Sequence, residues 1–336
     1  MGTDKPLSIR DIAQMAGVSI ATVSRVINNK GRFSEETARR VRQIIDESGY
    51  VANAAARNLR ESHTKTIGMI VPDISNDFFS ALALHAEQAL SQKGYSVFVC
   101  NDANSTEREH RYIRTLVSKR VDGIICISGS HALRDETIPS SIPVVCVDRY
   151  PGVDSLIPRV ISDDARGGYL ATRHLIGQGC RRVLFISSQQ EDLNKRNREA
   201  GYAAALNESG LPADPALRVY LSGAQPSMEE AEQLVGEVIA RGTPFDGVFA
   251  VSDHAAAGAL RALQAAGVRV PNDVRLVGFD DSIYTRLTTP QITSVRRFHE
   301  QLAHRGCETL LALIEGQRPP VETVVPVELV ERASSR

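Results

Sequence analysis

The sequence predicts a small all-α domain at the N-terminus, followed by a two-lobed α/β body built on parallel sheets. Three observations predict it. Over the first 50 residues, apolar side chains recur at helical spacing in three short segments. Beyond residue 66, short continuous apolar runs alternate with helical stretches, the pattern of parallel strands covered on both faces. At 336 residues the chain exceeds one ordinary core, and 270 residues of such alternation exceed one doubly wound sheet.

Composition excludes several classes. With 42% apolar and 24% charged residues the chain is not broadly disordered. No apolar run approaches the length of a membrane helix. Met1 to Arg10 has no apolar h-region, which points to the cytoplasm rather than secretion. Five scattered cysteines, set mostly in apolar runs, read as small buried hydrophobes rather than disulfides or metal ligands. The net charge of −1 conceals an asymmetry: residues 1–66 hold 11 Lys and Arg against 7 Asp and Glu, and the rest 28 against 33. A basic head on an acidic body suggests that the head meets a polyanion.

The first helix starts at Ser8 as cap, with Asp11 near the positive end of its dipole, and its stripe is Ile9, Ile12, Ala13 and Ala16. Gly17-Val18-Ser19 is a tight turn in which Gly17 tolerates a left-handed backbone and Ser19 caps the next helix. That helix, Ile20 to Asn28, turns Val23, Val26 and Ile27 inward. A third helix opens at Ser34, buries Ala38, Val41 and Ile45, and stops at Gly49. This is a helix-turn-helix. A small helical cap of an enzyme would share the periodicity, so the outer face of the second helix decides. Its short side chains, Ala21, Thr22 and Ser24, permit close approach to a groove, with Ile20 at the edge of the first turn. Arg25 carries the fork that reads guanine, and Thr22, Ser24 and Asn28 suit phosphate.

Asp11-Ile12-Ala13, Ala16-Gly17-Val18-Ser19 and Thr22-Val23-Ser24-Arg25-Val26-Ile27-Asn28 resemble the opening of the LacI/GalR family of bacterial repressors. Gly49-Tyr50 and Asn53-Ala54-Ala55-Ala56-Arg57-Asn58-Leu59 continue the likeness, which runs through nearly the whole chain. The resemblance implies a hinge helix that folds on operator DNA, where Asn53, Ala55 and Arg57 join the contacts and Leu59 wedges open the central base step. It implies a homodimer on a near-palindromic operator, and a body of the periplasmic-binding-protein type crossed near Ser162, Thr293 and Pro326. The expected divisions are a head of residues 1–52, a hinge and linker of 53–65, and a body of 66–336. Within the body, one lobe takes 66–162 and 293–325, and the other 163–292 and 326–336.

In the body, apolar runs lie at Thr66 to Pro72, Tyr95 to Cys100, Gly123 to Ile127, Pro143 to Val147, Val183 to Ile186, Gly247 to Val251 and Val274 to Phe279. Ligands of such sheets sit beyond the carboxyl ends of strands, so the polar residues there are the candidates. Asn76 beside Phe78 and Phe79 offers an amide and two faces for a sugar ring. Ser128, Asp148, Arg149, Asp253 and Asp280 follow other strands, and Arg198 opens a helix near Gly201 and Tyr202. These positions resemble the sugar contacts of ribose-binding proteins and sugar-responsive repressors. Helix capping is the competing reading for Asp148, Asp253 and Asp280.

Other motifs carry no chemistry. His299 and His304 are five residues apart, which on a helix sets the rings about 140° from one another, too far round to share a metal. Phosphate-binding and nucleophile-elbow signatures are missing, and no cofactor or metal is expected. The expectation is therefore a cytoplasmic, nucleoid-associated DNA-binding regulator, a repressor by resemblance, tuned by a small effector. The rivals are a solute-binding protein without DNA function and, more weakly, a sugar-processing enzyme. With Asp148, Asp253 and Asp280 set against Arg149 and Arg198, a neutral monosaccharide ranks first, a sugar acid second and a sugar phosphate third.

Overall fold

The computed structural model describes residues 7–29, 31–50, 63–128, 133, 138–150, 156–189, 193–222 and 227–336. The expected hinge contacts Asn53, Ala55, Arg57 and Leu59 lie outside the described residues. The chain divides into two compact units, Met1–Thr64 and Lys65–Arg336.

The first unit packs α1 (Ile9–Ala16), α2 (Ile20–Ile27) and α3 (Glu35–Ser48) around Ile12, Ala16, Val23, Val26, Ala38 and Val41. Each boundary has a local cause. At the start of α1 the Ser8 backbone N–H donates to the Asp11 carboxylate at 2.7 Å, a reach-back that satisfies an orphan donor. The Ser19 hydroxyl accepts from the Thr22 N–H at 3.1 Å and starts α2, and Ser34 accepts from Thr37 at 3.2 Å to start α3. Gly17 ends α1 at φ 63°, where a β-carbon would be strained.

Among its described residues the second unit holds two six-stranded sheets. Along the chain run β1 (Thr66–Val71), α4 (Asp77–Gln92), β2 (Ser96–Asn101), α5 (Thr106–Ser118), β3 (Gly123–Cys126), β4 (Val144–Val147) and β5 (Arg159–Ser162). Then come α6 (Asp164–Gly177), β6 (Val183–Ser188), α7 (Leu193–Glu208), β7 (Arg218–Leu221), α8 (Ser227–Ala240), β8 (Gly247–Ala250), α9 (Asp253–Ala265) and β9 (Arg275–Asp280). The last are α10 (Tyr284–Leu287), β10 (Thr293–Arg297), α11 (His299–Ile314), β11 (Glu322–Val325) and β12 (Val327–Val330).

The first sheet has the order β11-β5-β4-β3-β1-β2 and the second β12-β10-β9-β8-β6-β7. Among the described residues, pairings are parallel except β10 with β12, which is antiparallel. Consecutive apolar residues in β1, β3, β6 and β8 are buried on both faces, as helix-covered parallel strands require.

The first crossing falls after Ser162, and the third at Pro326, between β11 in one sheet and β12 in the other. The middle crossing departs from expectation. Thr293 to Arg297 pairs with β9 and β12 in the second sheet, so the chain returns to the first lobe at Phe298 rather than Thr293. Leu302, Ala303, Cys307 and Leu310 of α11 then pack in the first lobe's core.

α6 and α7 cross at two glycines. A β-carbon on Gly168 would collide with the Arg198 carbonyl, and one on Gly201 with the Ala165 carbonyl. This close approach fixes α7, and Arg198 on it, against α6.

Candidate nucleic-acid interface and ligand cleft

Helix α2 turns Val23 and Val26 inward and leaves Ser19, Ile20, Ala21 and Arg25 exposed. Thr22, Ser24 and Asn28 are half-buried. The Asn28 side-chain amide donates to the Ser24 carbonyl at 2.7 Å, closing the helix end. The stem of Arg25 lies along Gly31, at φ 88°, where a β-carbon would stand 3.4 Å from Arg25 Cδ. Apart from Ile20 at the edge of the first turn, the outer face is therefore short side chains around one long guanidinium fork. Such a face can enter the major groove and present that fork to a guanine.

In the body, a cleft of about 500 Å³ lies at the carboxyl ends of strands from both sheets, within the range of small-molecule sites. At its floor is Arg297, the last residue of β10, with 3% of its area exposed. Its guanidinium pairs with Asp148, approaches Asp280 Oδ1 at 3.2 Å and donates through Nε to the Ser162 hydroxyl at 3.0 Å. It also covers the face of Phe78, 3.8 Å from the ring centroid. Arg149 covers Phe79 in the same way at 4.9 Å and donates to Asn104 Oδ1 at 3.1 Å.

Arg198 donates to Asp164 Oδ1 at 2.7 Å and to the Val251 carbonyl at 2.6 Å, and lies over Phe279. Asp148 and Asp280 have φ of 70° and 109°, backbone conformations that L residues seldom adopt. Burial pushes the Asp280 carboxyl well above the usual carboxylate range, with Arg198 opposing the shift. Two further contacts cross between the lobes. Asn194 of α7 donates to the Asp148 side chain at 3.1 Å, and His254 Nε2 lies 3.9 Å from Asp77 Oδ1.

Of the nine expected residues, Asn76, Phe78, Phe79, Asp148, Arg149, Arg198 and Asp280 line this cleft. Ser128 and Asp253 do not. The Ser128 hydroxyl donates to the buried Glu109 at 2.6 Å. Asp253 is fully buried and accepts from the Ser282 N–H and the Ser294 hydroxyl, both at 2.6 Å. Burial raises its carboxyl to about 7. The expected stacking platform also changes character, because both phenyl faces carry guanidinium groups. Asn76 caps α4, its Oδ1 accepting from the Phe78 N–H at 3.0 Å.

Sequence reasoning missed Asn104, Asn194, Lys195, His254, Tyr284 and Arg297. Arg297 obeys the strand-end rule, and recognising β10 as a strand of the second sheet would have found it. His254 adjoins a residue already singled out. Asn194, Lys195 and Tyr284 sit on helices following strand ends, where periodicity alone does not tell cleft from solvent.

Among the described residues, no helix is long and apolar enough to cross a membrane. No group of three His, Cys, Asp or Glu among them could hold a metal ion.

Comparison with known proteins adds a second line of evidence. A family model for "Bacterial regulatory proteins, lacI family" matches residues 8–53, and one for a "Periplasmic binding protein-like domain" matches residues 172–335. The chain is 35% identical to the HTH-type transcriptional regulator RegA of Clostridium saccharobutylicum over 98% of this chain and 99% of the relative. It is 35% identical to the ribose operon repressor of Halalkalibacterium halodurans, covering 98% and 97%. The Lac repressor dimer bound to operator and the anti-inducer ONPF superposes with TM-score 0.88 at 25% identity, covering 98% of this chain and 99% of that one.

Proposed function

The chain belongs to the lacI family of bacterial regulatory proteins, and from that premise we propose that its cleft takes a sugar or sugar-acid effector whose occupancy sets the head's affinity for operator DNA. The protein is a DNA-binding transcriptional regulator, and repression is the activity named for its ribose-operon relative. The observation that carries the DNA reading is the outer face of α2, with Arg25 as its one long fork among Ser19, Ala21, Thr22 and Ser24. A solute-binding role without DNA leaves that face without a purpose. By linkage, effector and operator change each other's affinity by the same factor.

The protein acts as a homodimer on a near-palindromic site in this reading. Supporting it, β2 is an edge strand of the first sheet with Phe98 and Val99 about half exposed. Leu84 on the adjacent α4 is 54% exposed. Apolar side chains along an open edge invite a second copy. The reading also places the protein in the cytoplasm on the nucleoid, and has the bound effector leave chemically unchanged.

Selection of duplexes from a random-sequence pool tests the reading, followed by anisotropy titration of the enriched duplex with and without sugars. The expected result is a near-palindromic consensus whose affinity a sugar or sugar acid changes at least tenfold. Failure to enrich any sequence would overturn it.

A further inference from the structure

The cleft is richer in cations than a neutral sugar needs. Among its lining side chains are Arg149, Lys195, Arg198 and Arg297, against the acids Asp73, Asp148 and Asp280. Asp253, the acceptor that would have tipped the balance towards carboxylates, points away to Ser282 and Ser294. The charge count is thus the reverse of the one that favours a neutral ligand.

The acceptors and the aromatic faces are also committed. A neutral monosaccharide is held by carboxylates accepting from its hydroxyls and by a ring face stacking on its apolar side. Here Asp148 and Asp280 both meet Arg297. The Phe78 and Phe79 faces lie under Arg297 and Arg149, at 3.8 and 4.9 Å from their centroids. The half-buried guanidinium of Arg149, braced by Phe79 and by Asn104, is held as a fork from the first lobe. Lys195, half-buried at the start of α7, brings a cation from the second. A planar fork held rigid in this way matches a carboxylate bidentately.

We propose that the effector is a monoanionic polyol, an aldonic or uronic acid, whose carboxylate is bound by Arg149 with Lys195 closing on it from the opposite lobe. The inference rests on the reading that the cleft binds an effector. It reverses the order drawn from sequence, in which a neutral sugar came first. A carboxylate is preferred to a phosphate ester because its two coplanar oxygens match the single planar fork that Arg149 presents, and one further cation, Lys195, completes the neutralisation of a monoanion.

Thermal unfolding of the full chain tests this with a panel of C5 and C6 aldonic and uronic acids, the matching neutral aldoses and a hexose 6-phosphate. An acid from the panel is expected to raise the midpoint by about 5 °C at saturating concentration, with its neutral counterpart giving no comparable rise. Arg149→Gln and, separately, Lys195→Gln are expected to weaken the acid at least tenfold and abolish its preference over the neutral sugar. If a neutral aldose raises the midpoint and its acid does not, the charge assignment is wrong while the sugar-effector reading stands. A response confined to the phosphate ester likewise overturns the assignment. Silence from every member of the panel overturns both.

Discussion

Asp148 and Asp280 leave different sheets, each with a positive φ, and their carboxylates meet on one guanidinium, that of Arg297. Asp148 follows β4 of the first sheet, while Asp280 ends β9 of the second. The two lobes are therefore tied at the floor of the cleft by a three-membered cluster centred on Arg297. In the proposed reading, an effector that perturbs any member of it changes the interaction between the lobes.

Arg297→Met leaves the buried Asp148 carboxylate without its cation, while Asp280 keeps Arg198 at 4.0 Å. Removing one partner of a buried pair typically costs about 3–5 kcal/mol, mostly from the charge left behind. Urea unfolding should show a loss of this size. Adding Asp148→Asn should recover part of it, because the stranded charge is then gone. Equal midpoints for wild type and Arg297→Met would show that the cluster does not stabilise the fold.

Arg25→Ala should relax base preference within each half-site and cost about 1–3 kcal/mol of operator affinity, with the salt dependence nearly unchanged. Competition between the consensus duplex and single-base variants measures this. Wild-type selectivity in the variant would remove Arg25 from base readout.

Asp253 titrates at about 7 in the folded protein because burial disfavours its charge, against about 3.9 for an ordinary aspartate. Between those values the folded state holds a proton that the unfolded state has released. Stability from this group is thus fully present below pH 4 and declines as the pH rises towards 7. Asp253→Asn keeps an acceptor for the Ser282 N–H and imitates the protonated acid. The variant should lose that decline and exceed wild type at pH 8 by about 2–4 kcal/mol. Parallel slopes for the two proteins in urea midpoint against pH would contradict the assignment.

Phe98→Lys places a charge on the open edge of β2, where the side chain is 49% exposed. The monomer should fold unchanged, since Phe98 contributes little to the core. Sedimentation should show the dimer weakened at least tenfold, with operator affinity falling in parallel. A dimer unaffected by the change would move the interface elsewhere.

Local chemistry made much of this protein legible. The caps Ser19 and Ser34, the turn at Gly17 and the stripe from Ile9 to Ala16 act within one or two helical turns, so the sequence by itself determined the three-helix head. Continuous apolar runs likewise determined the parallel strands, and the segments after their carboxyl ends marked Asn76, Phe78, Phe79, Asp148, Arg149 and Asp280 among the cleft's side chains. The choice between Asp253 and Asp280 belonged to the tertiary structure. Both stand at strand ends, yet Asp253 is turned aside by Ser294, 41 residues further along. Arg297 faces the cleft because β10 pairs with β9, Thr293 beside Val277. Hydrogen bonds between segments so far apart leave no periodic trace in either one, and only the closed fold decides which polar side chain they bury and which they leave facing the cleft.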